Sequence, residues 1–211
     1  MIPPLPSVSP DGTASHVIGS NASPDFSVGS DRGEAKGVVE TDDPISSIHA
    51  ETEAILAAGG AFSETGPRVL ELLCSRLEWD IGLIWQLDEA ASVLRLVASW
   101  HDPSGPETEL ERLSMRSTFS PGVGLPGRVL SSGEPWWIRD IQHDRGFPRS
   151  SAAAEDGLRS GFGVPLLQGR KVVGMLELFS RLERDVDREL VASIAELGAV
   201  VGGSVQADAG P

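Results

Sequence analysis

The stretch GLRSGFGVPLLQGRKVVGMLELFSR, residues 157–181, contains the clearest structural pattern of this chain. Two runs rich in apolar residues, 158–167 and 171–179, flank the short turn Gln168-Gly169-Arg170. Alternating runs separated by a glycine-containing turn are typical of a β-hairpin. We therefore predict that these runs form two antiparallel strands that close a sheet.

Upstream of this hairpin, the same period of two predicts the rest of the sheet. A five-residue turn, 88–92, separates two runs that form a second antiparallel hairpin. Two shorter strands follow, with a short helix over 124–130 between them and a long loop over 142–157 after them. The predicted upstream strands cover residues 81–87, 93–100, 115–120 and 136–141.

Helical periodicity appears at both ends of the sheet region. A first helix is predicted from Ser46, its N-cap, to Gly59, and a second from Thr65, with Pro67 in its first turn. A last helix covers 185–205 and repeats apolar residues every three or four positions. Helices that flank an antiparallel sheet predict an α+β domain over residues 45–206.

Residues 1–44 have a different composition. They contain six Pro, five Gly and seven Ser, and seven acidic residues against two basic ones. Such a segment buries too little apolar surface to offset its ordering entropy. We predict a disordered leader over 1–44 and a flexible tail over 207–211.

The overall charge limits the partners. The chain has a formal net charge of -14, without a basic segment, so we expect neither a nucleic acid nor a membrane as partner. The N-terminus has no signal-peptide pattern, and no apolar run is long enough to span a bilayer. Cys74 is the only cysteine, which fits a reducing compartment. We therefore expect a cytoplasmic protein.

Three strings of the sequence resemble a GAF domain: PGVGLPGRVLSSGEPWWIRDI (121–141), the hairpin string 157–181, and RELVASIAELGAVVGG (188–203). The resemblance implies a six-stranded antiparallel sheet with the terminal helices packed on one face. On the other face, loops and short helices would form the roof of a ligand pocket. It also implies a regulatory module, since GAF domains are regulatory modules of phosphodiesterases, cyclases and sensor kinases. GAF domains bind cyclic nucleotides, tetrapyrroles, haem or small metabolites.

The pocket is predicted over the sheet face of Ser160 and Phe162, with Gly161 and Gly163 turned toward a packed terminal helix. Neighbouring strand residues face opposite sides, so only one of Trp136 and Trp137 can line it. The candidate ligand-binding residues are Trp100, Phe119, Leu125, Trp136, Trp137, Asp140, Phe147, Ser160, Phe162 and Glu177.

Glu177 is an unusual residue in this pattern because a carboxylate in a central strand needs a partner. Arg159, backbone amides and a ligand are all possible partners. Several charged residues lie on and after the Trp136 strand, where they either contact the ligand or form a solvated loop face. These residues are Arg139, Asp140, His143, Asp144, Arg145 and Arg149.

The last helix also predicts a homodimer. Its apolar residues form a narrow seam that is typical of a bundle helix, and two residues of the first helix extend it. The predicted interface residues are Ile48, Ile55, Leu190, Ile194, Leu197 and Val201.

Several chemistries do not fit the sequence. The four histidines lack metal-ligand spacing, and no cysteine lies where a bilin would attach, so neither a metal nor a covalent bilin is expected. The cofactor stays unknown, and we expect no enzyme activity. The leading hypothesis is a sensory domain that binds a small molecule and signals through dimerisation or an effector in trans. The alternative is a ligand-free adaptor whose pocket is self-filled, which Phe147, Phe162 and Trp137 pointing inward would favour.

Overall fold

The computed structural model describes residues 44–205. The predicted leader, apart from Pro44, and the predicted tail lie outside these residues, so both stay predictions. The elements follow in chain order: α1 (Pro44–Ala57), α2 (Phe62–Leu77), β1 (Ile81–Asp88), β2 (Val93–His101), α3 (Glu109–Ser114), β3 (Thr118–Phe119), α4 (Gly124–Ser132), β4 (Trp136–Ile138), α5 (Ser150–Glu155), β5 (Ser160–Gln168), β6 (Lys171–Ser180) and α6 (Arg188–Val205).

The six strands form one antiparallel sheet in the order β3-β2-β1-β6-β5-β4. The hairpin of residues 157–181 supplies β5 and β6, and β6 lies next to β1 in the middle of the sheet. The predicted α+β class and the six-stranded antiparallel sheet are therefore confirmed.

One face of the sheet, here called the helix side, is covered by α2 and α6, with α1 packed on both helices. Its core is apolar and contains Phe162, Leu176 and Leu178 from the hairpin. The backbone of α6 lies directly on β5. A Cβ at Gly198 or Gly202 would overlap the carbonyl oxygen of Pro165 or Leu167, so only glycine fits there.

The other face, here called the roof side, is covered by α3, α4, α5 and their connecting loops, which together form the roof. Its core joins roof residues such as Phe119, Leu125 and Phe147 to Met175 and Phe179 of β6. The prediction that loops and short helices cover the face opposite the terminal helices is confirmed.

A β-bulge in the hairpin determines which side each residue faces. Gln168 pairs with Lys171 at the turn, but farther along Gly163 pairs with Glu177, because β6 contains one extra residue, Val173, between the two registers. If Val173 paired with Leu166 in a regular ladder, Phe162 would lie opposite Glu177. The extra residue therefore places Glu177 on the roof side, opposite a glycine.

Several predicted boundaries change in the structure. Helix α2 begins at Phe62, so Pro67 lies inside it and not in its first turn, and Ser46 lies within α1 and not at its cap. Between the predicted strands 93–100 and 115–120, for which the sequence predicts no helix, lies α3, whose N-cap is Thr108. No helix in the described part of the chain is long and apolar enough to cross a membrane.

Candidate functional site

Glu177 lies in the middle of β6, and its side chain is fully buried on the roof side. Its partner is Arg149, whose guanidinium donates to both carboxylate oxygens at 2.7 and 2.8 Å. This two-point pairing is the strongest form of an arginine–carboxylate contact. Glu177 therefore has a partner from the chain itself, but it is none of the three considered from the sequence.

Arg149 reaches Glu177 from the roof. It is the residue that precedes α5, and it lies between the exposed Pro148 and the half-buried Ser150. Its own side chain is only 2% exposed. The side chain thus runs inward from a surface segment and ties the roof to the centre of the sheet.

Aromatic rings surround the guanidinium. Its Cζ atom lies 4.8 Å from the ring centre of Phe119, 5.1 Å from that of Phe147, and 5.4 and 5.5 Å from those of Trp85 and Phe179. Each distance is within the range of a cation–π interaction. We call these four rings together with Glu177 the arginine cage.

Two further polar groups complete the cage. The indole Nε1 of Trp85 donates to Glu177 at 2.8 Å, and the hydroxyl of Ser114 accepts from Arg149 at 2.8 Å. The Nε of Arg149 has no hydrogen-bond partner within residues 44–205. Both oxygens of the Glu177 carboxylate thus accept hydrogen bonds, whereas the Arg149 guanidinium keeps one unused donor.

The structure places four of the ten candidate ligand residues in the roof-side core, as a pocket there requires. Phe119, Phe147 and Glu177 belong to the cage, and Leu125 packs beside them from α4. Sequence reasoning missed Trp85, Ser114 and Phe179, and it placed Arg149 only in a loop group. A buried carboxylate demands a cation, so a survey of every nearby arginine would have included Arg149.

Three other candidates lie on the helix side: Trp100, Trp137 and Phe162. The ring of Phe162 lies 5.0 Å from that of Trp137. The prediction that Phe162 and Ser160 face the pocket is therefore wrong. A Cβ on Gly161 or Gly163 would instead contact roof-side residues such as Ile141 and Leu125.

Ser160 has a structural role at the start of β5. Its hydroxyl donates to the carbonyl of Arg139 at 2.9 Å and accepts from the amide of Arg184 at 2.7 Å. Asp140 lies outside the cage and accepts from His143 Nδ1 at 2.8 Å, which lowers the pKa of Asp140.

Trp136 marks the edge of the roof side. It is 40% exposed, and the guanidinium of Arg128 lies 5.5 Å from its ring centre. Arg128 also donates to both carboxylate oxygens of Asp144, and this hydrogen bonding lowers the pKa of Asp144. The prediction that Trp136 and Trp137 face opposite sides is confirmed, because Trp137 packs in the helix-side core.

The predicted dimer seam lies inside the domain. Ile48, Ile194, Leu197 and Val201 are each at most 1% exposed and belong to the helix-side core, while Ile55 and Leu190 are half-buried against it. The seam is an intradomain packing face, because α6 needs this whole face to cover β5. The homodimer itself stays a prediction.

A cleft of about 780 Å³ lies away from the cage, at the end of the sheet where α2 and β2 terminate. Its lining includes His101, whose Nδ1 lies 2.7 Å from Oε2 of Glu111, and residues of the loop that follows His101. Cys74 also borders it, but burial raises the pKa of this thiol well above its usual range, so it is not a reactive thiolate. The acidic residues that line the cleft are Glu78, Asp80, Asp102, Glu107, Glu155 and Asp156.

A metal site was not expected from the sequence. Within the described region, no three His, Cys, Asp or Glu side chains are grouped so that they could hold a metal ion.

The sequence of residues 61–201 matches the family model of the GAF domain. The chain belongs to the GAF domain family. No curated protein sequence matches it significantly. Proteins with this fold are mostly regulatory domains, and the helices, sheet and roof described above are those of a GAF domain.

Solved GAF domains share this architecture. The nlh2 GAF domain of A. aeolicus is 20% identical, with a TM-score of 0.61, over 78% of this chain and 96% of that one. The GAF domain of an Acinetobacter phosphoenolpyruvate-protein phosphotransferase is 17% identical, with a TM-score of 0.65, over 79% and 96% of the two chains.

One similar structure is an enzyme. The free methionine-R-sulfoxide reductase of Neisseria meningitidis, in complex with its substrate, is 16% identical with a TM-score of 0.63. The match covers 82% of this chain and 96% of that one. At these identities, all three likenesses show the fold alone.

Proposed function

We propose that this GAF domain is a regulatory module whose pocket is filled by its own side chains, with Arg149 in the position of a ligand. The observation that supports this is the buried pair of Arg149 and Glu177, which occupies the space between roof and sheet. This is the ligand-free alternative among the sequence-based hypotheses, with Arg149 as the filling group.

The packing of the cage supports this proposal. Phe147 points into the roof-side core, as a self-filled pocket requires, and is 1% exposed. Trp137 and Phe162 do not contribute, since they lie on the other face. A resident ligand would therefore have to displace both a charged side chain and the contacts that it makes with four rings.

The same pair suggests how such a module acts. Arg149 holds the segment before α5 against β6, so this contact couples the position of that part of the roof to the sheet. The binding of a cytoplasmic partner to the roof in trans, or of a second copy of the chain, would depend on that position. We propose no catalytic activity, since the cage holds its one carboxylate in a closed ion pair.

Native mass spectrometry of the full chain, purified from a bacterial host, tests the proposal. We expect the mass of the polypeptide alone, as a monomer or a dimer. A small molecule bound in stoichiometric amounts would overturn the self-filled pocket.

Hydrogen exchange provides a second test with a matched control. Arg149→Met should increase exchange at the amides of α5, because the roof loses its anchor. Arg128→Met removes a two-point pair of the same kind at the rim, and it should leave α5 protected. Equal protection of α5 in the Arg149→Met variant and the parent would contradict the anchoring role.

A further inference from the structure

We infer that the arginine cage is a recognition site for small alkylguanidinium cations, which exchange with the side chain of Arg149. This inference rests on the proposed function, because it takes Arg149 as the occupant of the pocket. It adds to that function the chemical class of the ligand that can replace the occupant.

The geometry of the cage selects a planar cation with several donors. Two parallel hydrogen bonds, 2.7 and 2.8 Å long, match the two oxygens of Glu177, and a third contact is made to Ser114. A guanidinium presents donors in this fork, whereas an ammonium is a compact point charge. The site therefore distinguishes cations by shape as well as by charge.

The aromatic walls reinforce this selection. The four ring centres lie 4.8 to 5.5 Å from Cζ of Arg149, so their faces stabilise a cation without competing for its donors. Trp85 keeps the carboxylate in place by donating to it from the sheet. Trp85 and Glu177 both belong to central strands, so this half of the cage is held by the sheet and not by the roof.

Burial limits the ligand to a small molecule. Glu177 is fully buried, and its guanidinium partner enters from the surface segment between Pro148 and Ser150. A ligand must follow the space that the arginine stem occupies, so a short alkyl chain fits and a polypeptide backbone does not. The unused Nε donor of Arg149 shows that the resident guanidinium is not fully satisfied.

Chemical rescue tests the ligand class. The variant Arg149→Ala leaves Glu177 without its cation and opens the stem space. Methylguanidinium chloride at tens of millimolar should raise its melting temperature by several degrees, because it binds the folded state. Methylammonium chloride and sodium chloride at equal ionic strength should not.

Two variants control for unspecific effects. Arg149→Ala/Glu177→Gln lacks the carboxylate and should show no rise with methylguanidinium. Arg128→Ala opens the comparable pair at the rim, which is 19% exposed on both partners, and should show none either. A rise of equal size in the variants with and without Glu177, or no rise in Arg149→Ala, overturns the inference.

If Arg149→Ala does not fold alone, refolding replaces melting as the measurement. Methylguanidinium, but not methylammonium, should then restore its near-ultraviolet circular dichroism. Failure of that rescue overturns the inference, provided that the uncharged variant Arg149→Met/Glu177→Leu folds without any addition.

The last experiment tests whether methylguanidinium replaces the Arg149 side chain in the unaltered chain. A large excess of methylguanidinium should increase hydrogen exchange at the amides of α5 and leave α2 unchanged. No increase at α5 overturns the exchange of ligand with Arg149. Failure of these arms would leave the self-filled pocket standing, whereas a co-purified ligand in the mass spectrum overturns the proposed function itself.

Discussion

On the helix side of the sheet, Phe162 packs against Trp137 and Trp79 in an apolar core. On the roof side, at similar depth, the guanidinium of Arg149 and the carboxylate of Glu177 lie between four aromatic rings. The core of the helix side is thus apolar, whereas the core of the roof side holds two buried charges.

The two sides differ in what they contribute to folding. Apolar burial stabilises at about 25 cal/mol per Å². A buried ion pair loses most of its Coulombic gain to desolvation, and apolar residues of similar volume often stabilise more. The helix side therefore supplies stability, and we place the regulatory function on the roof side.

Inserting one alanine between Gly174 and Met175 should have the largest effect on this division. With the bulge kept, the added residue shifts the register beyond it, so Phe162 would pair with Glu177 and the carboxylate would turn toward the terminal helices. We expect an insoluble or unfolded chain by circular dichroism. Deleting Val173 removes only the unpaired bulge residue and keeps Gly163 opposite Glu177, so that variant should stay folded. A folded insertion variant with a native spectrum would show that the register of β6 does not set the faces.

Removing the carboxylate alone should have the next largest effect. Glu177→Ala leaves the Arg149 charge buried and unpaired, which costs about 3–5 kcal/mol. Urea denaturation measures this loss. Glu183→Ala, which breaks an exposed pair with Arg139, should change the stability by less than about 1 kcal/mol.

The double variant Arg149→Met/Glu177→Leu sharpens this comparison. With both charges gone, most of the stability lost in Glu177→Ala should return, because no unpaired charge remains. A double variant that is as unstable as Glu177→Ala would mean that the ion pair itself stabilises the fold.

A smaller effect is expected on the helix side. Phe162→Leu removes ring contacts with Trp137 and should destabilise by about 1–2 kcal/mol. Hydrogen exchange should increase in α6 and stay unchanged in α5. Faster exchange in α5 would show that the two cores are not independent.

The smallest effect concerns the rim of the roof. The hydrogen bonds from Arg128 lower the pKa of Asp144 below its usual value, so this carboxylate stabilises the folded state at neutral pH. That contribution is lost as the pH falls below about 4 and through the folded-state pKa. The difference in melting temperature between the parent and Asp144→Asn should therefore shrink in acid, and a constant difference would contradict the assignment.

Most of the fold could be predicted from sequence periodicity. The strands of both hairpins were placed within about two residues, because alternation and turn residues are local signals. Helix α3 was missed, since six residues are too few to show a helical period. Strands β3 and β4 are shorter than predicted because pairing with the neighbouring strand, not local sequence, sets their ends.

The site was only partly predictable, for a specific reason. The candidate set combined Phe162 and Glu177, which lie on opposite faces in the structure. Alternation divides a strand into two faces, but a bulge exchanges them without a strong signal in the sequence. The sequence marks Arg149 only as one of several candidate partners of Glu177, because this arginine comes from a loop whose path no local pattern determines.

The glycine contacts between α6 and β5 have a mechanical consequence. At Gly198 and Gly202 the helix backbone lies directly against strand carbonyls, without a helix side chain between them. Strand β5 is also hydrogen-bonded along its length to β6, which bears Glu177. We therefore expect helix α6 and the hairpin to move together as one rigid unit, so that a displacement of Glu177 would be shared by the whole helix.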